Sequence, residues 1–360
     1  MKRLMLLAIP LLVLALLSSC RPPELEGAFV DYNAGRFDNA LKLAKQATEK
    51  YPDNAEAWYL LGELYGKKEQ YLKMKKAFDK SLSLSPTFKD KIDRATMYYF
   101  QTLFNRGVNS YNAYTKVPDR SSDKAKKYLE EAINNFKMAN AIKPDYKSVD
   151  LVALCYSLAG QQDSALTYYT KLTEMAPDSA DAYVKLGRYE LVRSNYKGAI
   201  KALEKALQLD PNNTEATQII AEAYDRDGQT QKAIEAYQKA MKVNPEEKAF
   251  PFNLGLIYFK LSTSDSVSKD LQSQYLAKCA EMFGKVIELD PTMKEPYDFK
   301  SNCEIQLKEY DKALATLQEA VKRFPDNGTF WFNLGVVYTH LNKAKEAKEA
   351  FDKAKELGIK

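Results

Sequence analysis

Eight prolines, at positions 52, 86, 144, 177, 211, 245, 291 and 325, pace this chain at intervals of mostly 33 or 34 residues. A fixed period of that length marks a chain assembled from one repeated helix-turn-helix unit, which cannot bury its apolar face alone and gains a core only by stacking on its neighbours. The period overrides the length prior. Although 360 residues would serve two ordinary domains, a repeat array grows by adding units, so the expectation is one continuous all-α solenoid whose product is a binding surface.

The residues between the prolines repeat as well. Trp58, Leu61, Gly62, Tyr65, Phe78 and Pro86 fall in an order of large, small, aromatic and proline positions that recurs along the chain. Gly187, Ala199, Leu203, Ala206 and Pro211 form one unit, and Ala221, Tyr224, Ala233, Tyr237, Ala240 and Pro245 the next. Ala153, Tyr156, Ala165, Tyr169 and Pro177 precede them; Ala313, Leu317, Ala320 and Pro325 follow, after Ser301 at the small place. Trp331, Leu334, Gly335, Tyr338, Ala347, Phe351 and Ala354 make the last unit, and Ala28, Gly35, Ala40, Ala44, Ala47 and Pro52 a weaker first one. Small residues let the two helices of a hairpin approach, large ones fill the gaps, and a proline after the second helix stops it.

This pattern resembles the tetratricopeptide repeat family over essentially the whole mature chain. The resemblance implies a right-handed superhelical solenoid of about nine repeats, near 21–54, 55–88, 89–145, 146–179, 180–213, 214–247, 248–293, 294–327 and 328–360. The third and seventh are long. Their excess is expected in a longer lead into helix A of the third and in two polar stretches, 112–124 and 262–273, between helices A and B at one edge of the solenoid. The last helix is rich in Lys and Glu and can serve as its own cap, with self-association through this end as the alternative.

Residues 1–19 read as a secretory leader: Lys2 and Arg3, an apolar run from Leu4 to Leu17, then Ser18 and Ser19 before Cys20. The apolar run is short for a membrane-spanning helix, which needs ~20 such residues. Leu17-Ser18-Ser19-Cys20 resembles a bacterial lipobox, which implies cleavage before Cys20 and acyl chains on that residue. Two or more chains anchor a protein stably. Arg21 follows with no acidic residue beside it, so the expected location is the cell envelope, at the outer membrane and facing the periplasm, with the solenoid 20–360 starting almost at the lipid.

The formal charge of +5 is spread over interleaved signs, and the leader carries two of the positive charges away, which disfavours nucleic acid as a partner. No nucleophile motif or phosphate loop is present. The single histidine, His340, has no companion at metal-ligand spacing, so neither an enzyme nor a metal or cofactor site is expected. Cys155, Cys279 and Cys303 lie far apart without a CxxC pattern and read as small buried packing residues; their separation in different repeats argues against a disulfide.

What remains is the concave groove that the family resemblance implies, lined by helix A. Its places hold Phe29, Tyr32, Tyr59, Glu63, Phe104 and Tyr111 toward one end, and Phe252, Phe259, Phe332 and His340 toward the other. Between them stand Asp181, Arg188, Glu215, Gln218, Glu222, Asp225 and Arg226, a polar and mainly acidic stretch. Apolar ends and a charged centre suit an extended or helical protein segment. The competing reading of each aromatic is packing between adjacent helices. The lysine and asparagine pair of the chaperone-tail-binding subclass is missing. The expected function is a lipid-anchored scaffold that recruits proteins for outer-membrane, secretin, pilus or cell-wall assemblies; the alternative is a solute- or glycan-binding lipoprotein of an uptake system.

Overall fold

The computed structural model describes residues 21–359, so the leader and Cys20 lie outside the described residues. All regular structure among them is helical: eighteen α-helices and one short 3-10 turn, Pro86–Phe88. They fall into two compact units divided at Ala176 and Pro177.

The first unit contains α1 (Pro23–Asn33), α2 (Phe37–Lys50), α3 (Ala55–Lys67), α4 (Tyr71–Leu84), α5 (Lys89–Thr115), α6 (Asp123–Ile142), α7 (Tyr146–Leu158) and α8 (Gln162–Met175). The second contains α9 (Ala180–Val192), α10 (Tyr196–Leu209), α11 (Thr214–Arg226), α12 (Thr230–Val243) and α13 (Ala249–Ser262). It continues with α14 (Lys269–Leu289), α15 (Glu295–Gln306), α16 (Tyr310–Arg323), α17 (Gly328–His340) and α18 (Ala344–Glu356). Odd-numbered helices are the A members of hairpins and even-numbered ones the B members. Within each unit most helices pack chiefly on their neighbours in sequence, which is the order of a solenoid; Tyr71–Leu84 is the exception and reaches past α5 to α6.

The repeated residues set the hairpin geometry. At Gly62 of α3 an added Cβ would lie 2.3 Å from the Phe78 ring of α4, so only glycine admits the ring where the helices cross. Phe78 is buried there, a contribution of about 1.5–3 kcal/mol. The prolines act through their carbonyls as well as by ending helix B. Trp58 Nε1 donates to the Pro52 carbonyl and Trp331 Nε1 to that of Pro325, each at 2.8 Å. The polar residues between proline and helix A supply the N-caps: Asn54 Oδ1 accepts from the Ala57 amide at 3.0 Å, and Asn213 Oδ1 from Ala216 at 2.8 Å.

Every short A-to-B turn carries one residue in the left-handed region. Glycine occupies it at 35, 160 and 228, whereas Glu69, Ser194, Lys308 and Asn342 adopt φ between 56° and 62°. The two long repeats have no such residue between their helices and open the turn instead. Of the two polar stretches expected between helices A and B, much is helix extension. Residues 112–115 complete the 27-residue α5, and α6 begins at Asp123, leaving a short connection. Likewise Ser262 ends α13, and 269–273 belong to the 21-residue α14. Polar sequence was absorbed into longer helices because it retained helix formers and gained a serine N-cap at each start, Ser122 and Ser268.

Candidate partner-binding surface

Contacts between consecutive A helices mark the face on which the expected residues stand. In the first unit the Tyr32 hydroxyl of α1 donates to Glu63 Oε2 of α3 at 3.2 Å. Burial raises the Glu63 carboxyl above its ordinary range, against the pull of that hydrogen bond and of Lys67 and Lys91. The same carboxylate reinforces the effect of burial on two tyrosines: Tyr32 and Tyr59 are both pushed up to about 12. Tyr59 stacks on Phe88 at 5.0 Å, and the Lys91 ammonium lies 5.7 Å from its ring. The result is a half-buried cluster of phenols, one carboxylate and a cation.

Phe29 is covered by Arg21, whose guanidinium carbon lies 4.2 Å from the ring and which pairs with Glu56 at 2.8 Å. Arg21 is thereby fixed to the first two repeats. Phe104 makes an edge contact with Phe136 of its own hairpin at 5.4 Å, and Tyr111 packs beside Tyr114 in the cluster around α6. Both are half-buried, Phe104 against the B helix of its hairpin and Tyr111 beside a residue of its own helix.

In the second unit the charged stretch is largely self-compensated. Arg188 of α9 pairs with Glu215 of α11, Arg226 with Glu222 at 2.7 Å, and Lys260 of α13 with Asp225 of α11 at 3.0 Å. The expected acidic centre is therefore a set of ion pairs, two between A helices and one within α11. Each exposed pair contributes about 0–1 kcal/mol.

The aromatics of this unit divide by exposure. Phe259 meets Phe299 edge-on at 5.2 Å, Phe299 stacks on Phe283 at 4.7 Å, and Phe252 packs against Phe283 at 5.6 Å. Phe332 contacts Phe351 at 5.5 Å yet keeps 40% of its surface exposed. His340 is exposed and lies flat on Tyr310, centroids 4.3 Å apart. The structure thus brings together Phe252 and Phe259 through Phe283 and Phe299. It leaves Phe332 and His340 as the open members.

Phe299 and Lys260 were not among the expected residues. Phe299 occupies the register where Asn253 and Asn333 stand in other repeats, so aligning the units through the insertion would have exposed it. An apolar cleft of about 360 Å³ was also not anticipated. It lies between α10, α11 and α12, with Leu207, Ile220, Tyr224, Val243 and Phe250 in its wall, and none of the expected groove residues lines it. Among the described residues no three His, Cys, Asp or Glu side chains gather where they could hold a metal ion, and no helix is long and apolar enough to cross a membrane.

Three family models, each described as "Tetratricopeptide repeat", match the chain. One covers residues 30–71, 159–214 and 304–359, a second 193–250 and a third 55–88. Together they cover more than half of the sequence, and the chain belongs to the tetratricopeptide repeat family. Among curated proteins it is similar to Hsp70-Hsp90 organizing protein 3 of Arabidopsis thaliana, at 28% identity over 66% of this chain and 39% of that one. It is similar to Protein CTR9 homolog of the same plant at 26% identity, over 71% of this chain and 26% of that one. TPR repeat-containing protein YpiA of Bacillus subtilis is 20% identical over 90% of this chain and 76% of its own length. The chain spans well under two thirds of the first two of these. Among solved structures, YrrB, a TPR protein with an unusual peptide-binding site, aligns at 20% identity and a TM-score of 0.43, over 53% of this chain and 92% of that one. MamA aligns at 21% and 0.41, over 49% and 91%.

Proposed function

We propose that this protein is a lipid-anchored scaffold of the bacterial cell envelope whose helix-A face recruits protein segments. The observation that carries the binding half is the set of contacts between A helices inside each unit, Tyr32 with Glu63 in the first and Lys260 with Asp225 and Phe259 with Phe299 in the second, while Phe332 and His340 rest on B-helix aromatics and stay exposed. Aromatic anchors on a preformed surface bind a peptide with little ordering cost. The similarity to Hsp70-Hsp90 organizing protein 3 and to other repeat proteins favours protein over small-molecule partners.

The anchoring half rests on Leu17-Ser18-Ser19-Cys20 and on the start of α1 at Pro23, only a few residues beyond the proposed acylated cysteine. Arg21, held by Glu56 and Phe29, leaves almost no free tether. The first repeat would sit against the bilayer on its periplasmic side, presenting the helix-A face to assemblies at the outer membrane. Cys20→Ala tests this directly: the variant is expected in the soluble fraction, whereas its retention in washed membranes would refute lipid anchoring.

A further inference from the structure

Cys279 and Cys303 are both completely buried, and their sulfurs stand 2.9 Å apart, across the packed surfaces of α14 and α15. Distance in sequence misled here, because helix B of the seventh repeat packs on helix A of the eighth. Cys279 takes the small helix-B position that is alanine at 165, 199, 233 and 313. Cys303 takes a helix-A position that is Tyr189, Ala223 and Ile257 in earlier repeats. Sulfur stands on both sides of this junction. Cys155 provides an internal comparison: it holds the same helix-A position as Cys303, but the helix-B place before it is Ala132, in the same buried cluster.

We propose that Cys279 and Cys303 form a disulfide that staples the seventh repeat to the eighth. A covalent bond requires about 2.05 Å, so the sulfurs need close by only about 0.9 Å. A shared metal fits less well. Two thiolates on a tetrahedral zinc stand roughly 3.8 Å apart, farther than these sulfurs, and no third ligand is gathered among the described residues.

The oxidant is a disulfide donor, either the disulfide form of a protein oxidoreductase or a small disulfide such as oxidised glutathione. One cysteine thiolate attacks the donor, forming a mixed disulfide and releasing one donor thiol. The second thiolate attacks the protein-bound sulfur, the Cys279–Cys303 bond forms, and the second donor thiol leaves. Two electrons and two protons pass from the protein to the donor. The hydrogen bond with Cys303, together with burial, keeps Cys279 protonated in the folded state, so the exchange belongs to the folding chain or to an opened junction. Once closed, the bond is shielded from reductants by the same packing. Oxidising surroundings in the cell follow from the envelope reading, on which that part of the proposal rests.

The test uses the Cys20→Ala chain, denatured and reduced, then refolded in a glutathione redox buffer, acid-quenched and alkylated in denaturant so that buried thiols react. Of three remaining cysteines, one, Cys155, is expected to alkylate before reduction and all three after it. The bonded form should melt about 5–10 °C above the reduced form and resist reductant until unfolded. Cys279→Ser should show two thiols with or without reduction. Three free thiols after refolding, or a bond that includes Cys155, would overturn the pairing. A chain that bonds in redox buffer but is recovered reduced from cells leaves the pairing intact and counts against the envelope location, so the two failures are distinguishable.

Discussion

Tyr32 and Glu63 join the A helices of the first and second repeats by a hydrogen bond of 3.2 Å, and the bond holds a carboxylate that burial would otherwise disfavour. The sign of the resulting pH dependence is fixed. A carboxyl raised in the folded state binds its proton more readily there than in the unfolded chain, so it costs nothing below its unfolded pKa and lowers stability as pH rises through the window up to its folded value. Glu63→Gln is expected to flatten that decline in denaturant midpoint between acid and neutral pH. An unchanged profile would show that the carboxylate is solvated.

Tyr32 and Tyr59 carry a pH signature of the same sign, at the alkaline end. Both are pushed up to about 12, so the stability that depends on their neutral hydroxyls should be complete below pH ~10 and lost as pH rises toward 12. Difference absorbance of tyrosinate should show the Tyr32→Phe, Tyr59→Phe variant missing a late-titrating component. Loss of an early-titrating component instead would contradict the burial of these rings.

Ser194 adopts φ of 62° in the turn between α9 and α10, where equivalent turns use glycine at 160 and 228. Ser194→Gly is expected to stabilise the protein by about 0.5–1 kcal/mol, the relief of the left-handed backbone less the entropy that glycine adds to the unfolded chain. Urea denaturation measures it, and a destabilised variant would mean that the serine side chain contributes more than its backbone costs.

At the hairpin crossing the expectation reverses. Gly62→Ala places a methyl 2.3 Å from the Phe78 ring and should cost about 1–3 kcal/mol. Adding Phe78→Leu should recover part of that loss, giving a coupling energy in a double-mutant cycle. Strictly additive effects would show that the two helices do not meet there.

Much of this architecture was legible in the sequence because a repeat tests itself. Gly62 against Phe78, and Trp58 and Trp331 against their prolines, recur at fixed offsets, so a single rule explains several contacts. The groove was less legible because periodicity marks a place in the helix without saying what covers it. Phe104 packs edge-on against Phe136 of α6 and Tyr111 is half-buried beside Tyr114, while Asp225 and Glu215 found cations on neighbouring A helices. The Cys279–Cys303 contact was hidden for the same reason: residues in different repeats look remote until the stacking order is imposed.

The division between packed and open aromatics selects the residues for the decisive test. Phe259 sits among Phe283 and Phe299, so its removal would confound folding with binding, whereas Phe332 and His340 are exposed. The measurement is quantitative co-purification from gently solubilised membranes, comparing the native chain with the Phe332→Ala, His340→Ala variant at matched melting temperature. A protein partner retained by the native chain and depleted at least about tenfold by the variant, equivalent to 1.4 kcal/mol, is the predicted result. Equal recovery of every partner by both chains would contradict the claim that this end of the helix-A face recruits proteins.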